Sequence, residues 1–385
     1  MSEAVYSTPE WYLKAQDQDV SSDIGRLTIY HLGFKQAAEG KLIFPPVDFS
    51  TKPRAVLDVG TADGLWMRDV QSSIPKPAQG EHTFIGTDIN NSFFPTETTD
   101  DITYVKQDIK DPPPESWHGS FDLINMRMIL IAAGSASSQR AVVNQHIKLL
   151  KPGGWIQIGD CDRICPTPEA ENPRYHDMFA CIRAVCQASG LDPLEAPNMK
   201  SWLVESGLED VHEITAMRAV GKRNIDEELG RLGVGADLII AKGFAVGAKG
   251  LDPPLRPLSD ERLNNLVRDL ERELKDTGAY FPMRFIWGRR SMKRNATQRL
   301  DNILRESILK PNIPVEFALN TISQASFNSP DLIWEQHFRP VFTAHSQPAY
   351  RPGYPLTIRA HVPFSITFSP TFERFVMEDF EQQDS

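Results

Sequence analysis

The sequence predicts an α/β fold: a doubly wound, mostly parallel sheet with a helical lid and a C-terminal extension. Three observations carry this. From residue 54 onward, short apolar runs recur at the length of buried strands, each bounded by glycine or polar residues. Stretches of helical periodicity or long connections separate them, as βαβ units require. A glycine-rich turn, Gly60-Thr61-Ala62-Asp63-Gly64, follows the first run. That is the carboxyl edge at which such sheets receive ligands.

In chain order, residues 1–50 read as a helical cap. Trp11, Tyr12, Leu27, Tyr30, His31, Phe34 and Ala38 recur near helical spacing, Gly40 is a stop, and Pro45-Pro46 and Pro53 mark a linker. Ala55 to Val59 is the first strand, and a helix from Leu65 to Ile74 follows. Further strands are Thr83–Thr87, Ile102–Val105 and Phe121–Met126. A helix spans Ser138 to Leu150, Lys151-Pro152-Gly153-Gly154 reads as a turn, and Trp155–Gly159 is the fifth strand. Helices are then predicted over 173–188, 198–206, 226–245 and 259–275, and strands over 211–220 and 279–287. Residues 291–385 differ in kind. They hold 9 of the 20 phenylalanines and 9 of the 29 prolines. One helix, 296–309, precedes an irregular or β-containing extension. The predicted organisation is a cap (1–50), a ligand-binding domain with helical lid insertions (51–290) and a Phe/Pro-rich extension (291–385).

Composition narrows the function. The 385 residues are 41% hydrophobic and 24% charged, enough to build a core. The formal net charge of −10 argues against nucleic acid and anionic membranes as partners. No apolar run approaches the roughly 20 residues of a bilayer span. The start Met1-Ser2-Glu3-Ala4-Val5 lacks a signal-peptide pattern. Four cysteines make no disulfide framework. A soluble, cytoplasmic protein with a small-molecule substrate is predicted, with 291–385 available for a protein partner or self-association. The cysteine spacings, Cys161-x3-Cys165 and Cys181-x4-Cys186, are not those of a zinc site, so no metal is predicted. Walker A, H-E-x-x-H and G-x-S-x-G motifs do not occur.

The chemistry gathers at the strand ends. Asp58 closes the first strand, Gly60 permits a tight turn, and Gly64 lets the next helix approach the sheet. Asp88 follows the second strand, placed to accept from ribose hydroxyls. Asp108 follows the third, placed to accept from an exocyclic amine while Ile109 packs on a purine face. A single aspartate at such a position is an ordinary turn residue. Three at successive strand ends form a nucleoside-binding edge.

These segments resemble the class I S-adenosylmethionine-dependent methyltransferases, a Rossmann-like fold. More narrowly they are similar to the fungal secondary-metabolism branch that includes LaeA-like methyltransferases. The resemblance is carried by Arg26-Leu27 with His31, by Leu42-Ile43-Phe44-Pro45-Pro46, by Val56 to Gly64 with Trp66, and by Phe84 to Ile89. Phe121 to Arg127, Leu149 to Ile156, and Trp202-Leu203 to Val211 complete it. It covers roughly residues 20–290. It implies S-adenosyl-L-methionine as cofactor. Asp58, Gly60, Thr61 and Gly64 would line its methionine part, Asp88 and Ile89 its ribose, and Asp108 and Ile109 its adenine. Asn125 and Arg127 would lie beside the transferable methyl, and Arg26 would pair with the cofactor carboxylate. Two departures stand in the turn: Ala62 replaces the usual middle glycine, and Asp63 adds an acid.

The reaction implied is methyl transfer to an O, N or S atom of a small molecule in secondary-metabolite biosynthesis. A LaeA-like regulator or scaffold and a recruited pericyclase-type enzyme are the alternatives. Candidate catalytic residues are Tyr30 and His31 on the lead-in helix, Asp160 past strand five, and His176 in the helix that follows.

Overall fold

The computed structural model describes residues 23–96 and 101–292, and the backbone of 357–359 and 365–367. The chain divides into two units, Met1–Asp301 and Asn302–Ser385.

The first unit is built on one seven-stranded sheet. Its strands are β1 (Ala55–Val59), β2 (Thr83–Asp88), β3 (Ile102–Lys106), β4 (Phe121–Arg127), β5 (Leu150–Asp160), β6 (Glu209–Val220) and β7 (Ala279–Arg289), in the order β3-β2-β1-β4-β5-β7-β6. The first five are parallel to their neighbours, and β7 inserts antiparallel between β5 and β6. Chain order reverses between β1 and β4, the switch point at which α/β sheets open a crevice.

Alternation along the strands sorts the core into two layers. Leu57, Val59, Ile124, Met126, Ile156 and Ile158 face the helices α3 (Ala136–Ile147) and α5 (Met199–Glu205), which contribute Val142, Val143, Met199, Trp202 and Leu203. Val56, Leu123 and Trp155 face α2 (Leu65–Ser73) with Trp66, Met67 and Val70. The lead-in helix α1 (Asp23–Ala37) packs on β6 and beside α2, and its Phe34 joins Phe281 and Phe285 of β7. Helices α4 (Pro173–Ala188), α6 (Glu227–Lys249) and α7 (Asp260–Asp276) pack on one another as the predicted helical insertion. Asp226 and Ser259, read as helix starts, are the N-caps of α6 and α7 and accept from Leu229 and Arg262. Leu263, Leu266, Leu270 and Leu274 form the single buried stripe of α7.

One local reading is corrected. Lys151–Gly154 is not a turn between a helix and strand five, because β5 already starts at Leu150. Two steps along β4, Phe121 to Leu123, match five along β5, Leu150 to Trp155. The extra residues form a bulge. Gly153 takes φ +78 there, and the segment is pinned by hydrogen bonds from Gly153 N–H to the Arg290 carbonyl and from Arg290 N–H to the Gly154 carbonyl. In the second unit β8 (Thr357–Arg359) pairs antiparallel with β9 (Ser365–Thr367). The helix read over 296–309, like Trp11 and Tyr12, lies outside the described residues.

Candidate active site

The turn after β1 is tied to the end of β2. Gly60 and Thr61 both donate their N–H to the Thr87 carbonyl, at 2.8 and 2.9 Å. Gly60 and Gly64 take φ of +73 and +79. A Cβ at Gly60 would meet Ile129 at 2.8 Å, and one at Gly64 would fall on the Tyr104 hydroxyl. Asp88 accepts from the N–H of Ala62 and of Asn90, each at 2.9 Å. Asp108 accepts from the Lys110 N–H at 2.9 Å. Between these turns lies a cavity of about 110 Å³. Gly60, Asp88, Ile89, Asp108 and Ile109, chosen from sequence, all line it, together with Gln107 and Ile129. Ile109 is buried against the core, whereas Ile89 is 57% exposed at the mouth.

A buried polar row crosses the sheet beside this turn. Asp58, Asn125 and Gln157 are in register on β1, β4 and β5 and share one face. Asn125 donates to Asp58 at 2.7 Å and accepts from Gln157 at 2.8 Å. Gln157 also donates to the Leu42 carbonyl and accepts from the Phe44 N–H. The row therefore runs from the turn to the linker that follows α1. Thr61 donates to the other Asp58 oxygen at 2.7 Å. Burial outweighs these bonds and pushes the Asp58 carboxyl up to about 6.

Two residues beyond Asn125, on the same face, Arg127 donates to His31 Nδ1 at 3.0 Å. An arginine only donates, so Nδ1 accepts, and Nε2 carries the proton to Asp69 at 2.8 Å. Lys35 also reaches Asp69, at 2.8 Å. Burial holds His31 down to about 4, a neutral imidazole. Arg127, Asn125 and Gln157 line a second, narrow cavity of about 10 Å³ walled by Phe34, Phe44, Trp66 and Phe285. The rings of Phe44 and Phe285 stack at 4.3 Å.

Methyltransferase psoC of Aspergillus fumigatus is 32% identical to this chain over 269 residues, 69% of this chain and 93% of that protein. The chain belongs to the S-adenosylmethionine-dependent methyltransferases. Two further relatives are the N-methyltransferase gliN of Aspergillus fumigatus and the N-methyltransferase sirN of Leptosphaeria maculans. The first is 29% identical over 254 residues, 65% of this chain and 88% of that protein. The second is 29% identical over 257 residues, 66% and 87%. No protein-family model matches the chain.

The residues present fit the methyltransferase cofactor. The strand-end cavity offers two carboxylates and an apolar floor, as a nucleoside needs, and only glycine at 60 and 64 lets the turn pack this closely against Ile129 and Tyr104 beside it. The two departures in the turn do not crowd it. Asp63 turns outward to Arg68 at 2.7 Å. Ala62 takes the left-handed φ of +50, not the negative φ that suits its methyl, and its N–H is held by Asp88.

Several of the methyltransferase's sequence-chosen residues lie away from this edge or are committed elsewhere. Arg26 lines neither cavity; it pairs with Asp23 at 3.3 Å and lies over the Tyr30 ring. Tyr30 donates to Asp237 at 2.9 Å, inside a buried cluster in which Asp237 also binds Arg218 at 2.6 Å and Tyr175 at 2.7 Å. Its hydroxyl is raised well above the ordinary tyrosine range, first by burial and then by Asp237. Asp160 is paired with Arg163 at 3.0 Å and accepts from the Cys161 N–H. His176 is bonded through Nε2 to the Thr167 carbonyl at 2.6 Å. His31 has both ring nitrogens in use. Tyr30, His31 and Asp160 are thus held by partners, whereas His176, which gives its Nε2 proton to Thr167, keeps a lone pair on Nδ1 but lines neither cavity. Gln157 and Asp69 were not foreseen. Each is a lone polar residue on an otherwise apolar buried face, which is the signal that marks them. Among the described residues no cluster of three metal-ligating side chains occurs, and no helix is long and apolar enough to cross a membrane.

Proposed function

We propose that this methyltransferase methylates a nitrogen atom of a small molecule of secondary metabolism. The observation that carries the reading is the strand-end cavity, where Asp88, Asp108 and Ile109 converge on the glycine turn. The relatives named N-methyltransferases support the acceptor atom. S-adenosylmethionine, when bound, supplies an electrophilic methyl on a sulfonium. The chain's own part is positioning. Asp88 and Asp108 orient the nucleoside, and the row from Asp58 to Gln157 fixes the floor. The aromatic walls at Phe34, Phe44 and Phe285 keep water from the line of attack. A nitrogen with an available lone pair needs no protein base in that step, in keeping with the committed state of Tyr30, His31 and Asp160 and with the place of His176 outside both cavity linings.

The narrower kinship with LaeA-like methyltransferases is part of this proposal, as is the division into cap (1–50), catalytic domain (51–290) and extension (291–385). A regulatory or pericyclase role drew its support from Ala62, Asp63 and the extension 291–385; Ala62 and Asp63 do not line the cavity. The test is to supply methyl-labelled cofactor with nitrogen, oxygen and sulfur nucleophiles. Label on nitrogen, with release of S-adenosylhomocysteine in equal amount, is the expected result. Label on oxygen or sulfur alone would overturn the acceptor atom. Turnover without label transfer would overturn methylation.

A further inference from the structure

A buried charge is normally paired, because leaving it alone in low dielectric costs several kcal/mol. Beside the turn after β1 two charges, buried Asp58 and half-buried Arg127, lack an opposite partner. Asp58 is 3% exposed and receives only neutral donors, Thr61 and Asn125. Arg127 spends a hydrogen bond on His31, also neutral. Among the described residues neither makes an ion pair, although each feels the other's field. Both project from the same face of neighbouring strands. The register Val59↔Met126 puts Arg127 level with Gly60, about 5 Å away across parallel strands. An anionic and a cationic side chain thus stand diagonally on one face, two positions apart along neighbouring strands, at the turn. The complementary ligand is an α-amino acid zwitterion, with its carboxylate and ammonium on one carbon.

We propose that Arg127 receives the carboxylate of the cofactor's methionine end, and that His31, held by Asp69, is the positioning residue that keeps the guanidinium there. This rests on the reading of the chain as an S-adenosylmethionine-dependent methyltransferase. The neutral tautomer of His31 is what the arrangement requires. Its Nδ1 accepts from Arg127 without neutralising it, so the guanidinium keeps its charge for a ligand. Asp69 fixes that tautomer from the other side, and Lys35 balances Asp69. Helix α1 is thereby fastened to the end of β4. Arg26, the arginine that the sequence favoured for this role, is held by Asp23 and Tyr30 instead.

The test compares two ligands by calorimetry without acceptor: S-adenosylhomocysteine, and 5′-methylthioadenosine, which lacks the amino acid. Arg127→Met should weaken S-adenosylhomocysteine about tenfold to a hundredfold, the value of a charged hydrogen bond, and leave methylthioadenosine unchanged. Arg127→Lys, which keeps the charge, guards against a folding defect and should show the same selectivity with a smaller loss. His31→Phe should reproduce the selective loss, and His31→Gln, which restores an acceptor, should recover part of it. Equal losses for both ligands would overturn the assignment. So would a selective loss in Arg26→Ala with none in Arg127→Met. If the wild-type chain bound neither ligand, the cofactor reading would fall and this assignment with it.

Discussion

Two buried charge clusters in this molecule are built on opposite terms. Under the helical insertion, Arg218 and Asp237 are 2% and 1% exposed and pair at 2.6 Å. Tyr30 and Tyr175 complete the carboxylate's hydrogen bonds, and the rings of Tyr30 and Phe281 lie 4.5 and 4.9 Å from the guanidinium. At the turn after β1, buried Asp58 and half-buried Arg127 make no ion pair among the described residues, and Arg127 opens on the narrow cavity. The first cluster is closed upon itself and serves cohesion. It joins α1, α4, α6 and β6. The second is left incomplete by the protein. Burial alone does not separate a structural charge from a binding one; the presence or absence of a counter-ion does.

The sharpest way to break this comparison is to remove one charge from each cluster. Asp237→Ala leaves Arg218 buried and unpaired, which costs about 3–5 kcal/mol. Denaturant unfolding should show that loss, and cofactor affinity per folded molecule should hold. Asp58→Asn should do the reverse at neutral pH: unfolding free energy unchanged or higher, S-adenosylhomocysteine affinity lower. If both substitutions destabilise equally, the distinction fails.

A pH series sharpens it. Asp58 is raised from 3.8 to about 6, and His31 is lowered from 6.5 to about 4. As pH falls through 6, folded Asp58 takes a proton before the unfolded chain does, so its contribution favours folding. Over nearly the same window the unfolded chain protonates His31 and the folded one does not, so that contribution opposes folding. Asp58 faces Thr61, Asn125, Arg127 and Asp88; His31 faces Asp69, Arg127 and Lys35. The two slopes offset each other in the wild type. Relative to it, Asp58→Asn should lose about 2 kcal/mol between pH 6.5 and 4, at 1.36 kcal/mol per pKa unit. Parallel curves for the two proteins would show that Asp58 is not raised.

The third test lies wholly at the cofactor edge. Asp88→Ala should cost about 1.5–3 kcal/mol of S-adenosylhomocysteine affinity. Because Asp88 also holds the N–H of Ala62 and Asn90, a small fall in melting temperature should accompany it. Full affinity would move the ribose elsewhere.

Legibility in the sequence followed the same division. The strands β1 to β4 were readable because apolar runs, glycine and aspartate are local signals; Gly60, Asp88, Ile89, Asp108 and Ile109 at the ends of β1 to β3 line one cavity, and Asn125 and Arg127 of β4 line the other. The start of β5 was not, since Pro152-Gly153-Gly154 reads as a turn until the pairing with β4 shows a bulge. Arg26 and Tyr30 were chosen from their place on the lead-in helix. Which face of a helix meets the cofactor edge depends on rotation about its axis, and that is set by tertiary packing. Residues 26 and 30 share the face toward Asp237, whereas residue 31 turns toward β4. Gln157 was legible in principle, through its register with Asn125 and Asp58, but only once the strand order was known.

The smallest expected effect concerns Ala62, where sequence and structure disagree most locally. With φ +50 its Cβ lies in a region that costs an L-residue about 1–2 kcal/mol. Glycine there removes that strain but adds freedom to the unfolded chain, worth about 0.4–1 kcal/mol against it. Ala62→Gly should therefore raise the unfolding free energy by about 0–1.6 kcal/mol. Its N–H, the atom that donates to Asp88, is common to both residues, so the turn keeps its fastening to β2. Cofactor affinity should accordingly change by less than about twofold, since no hydrogen bond to a charged group is lost. A large gain in affinity would mean that the Ala62 methyl projects into the cofactor's space. A loss of stability would mean that the left-handed turn is not the solution conformation, and the cradle between Gly60 and Gly64 would have to be redrawn.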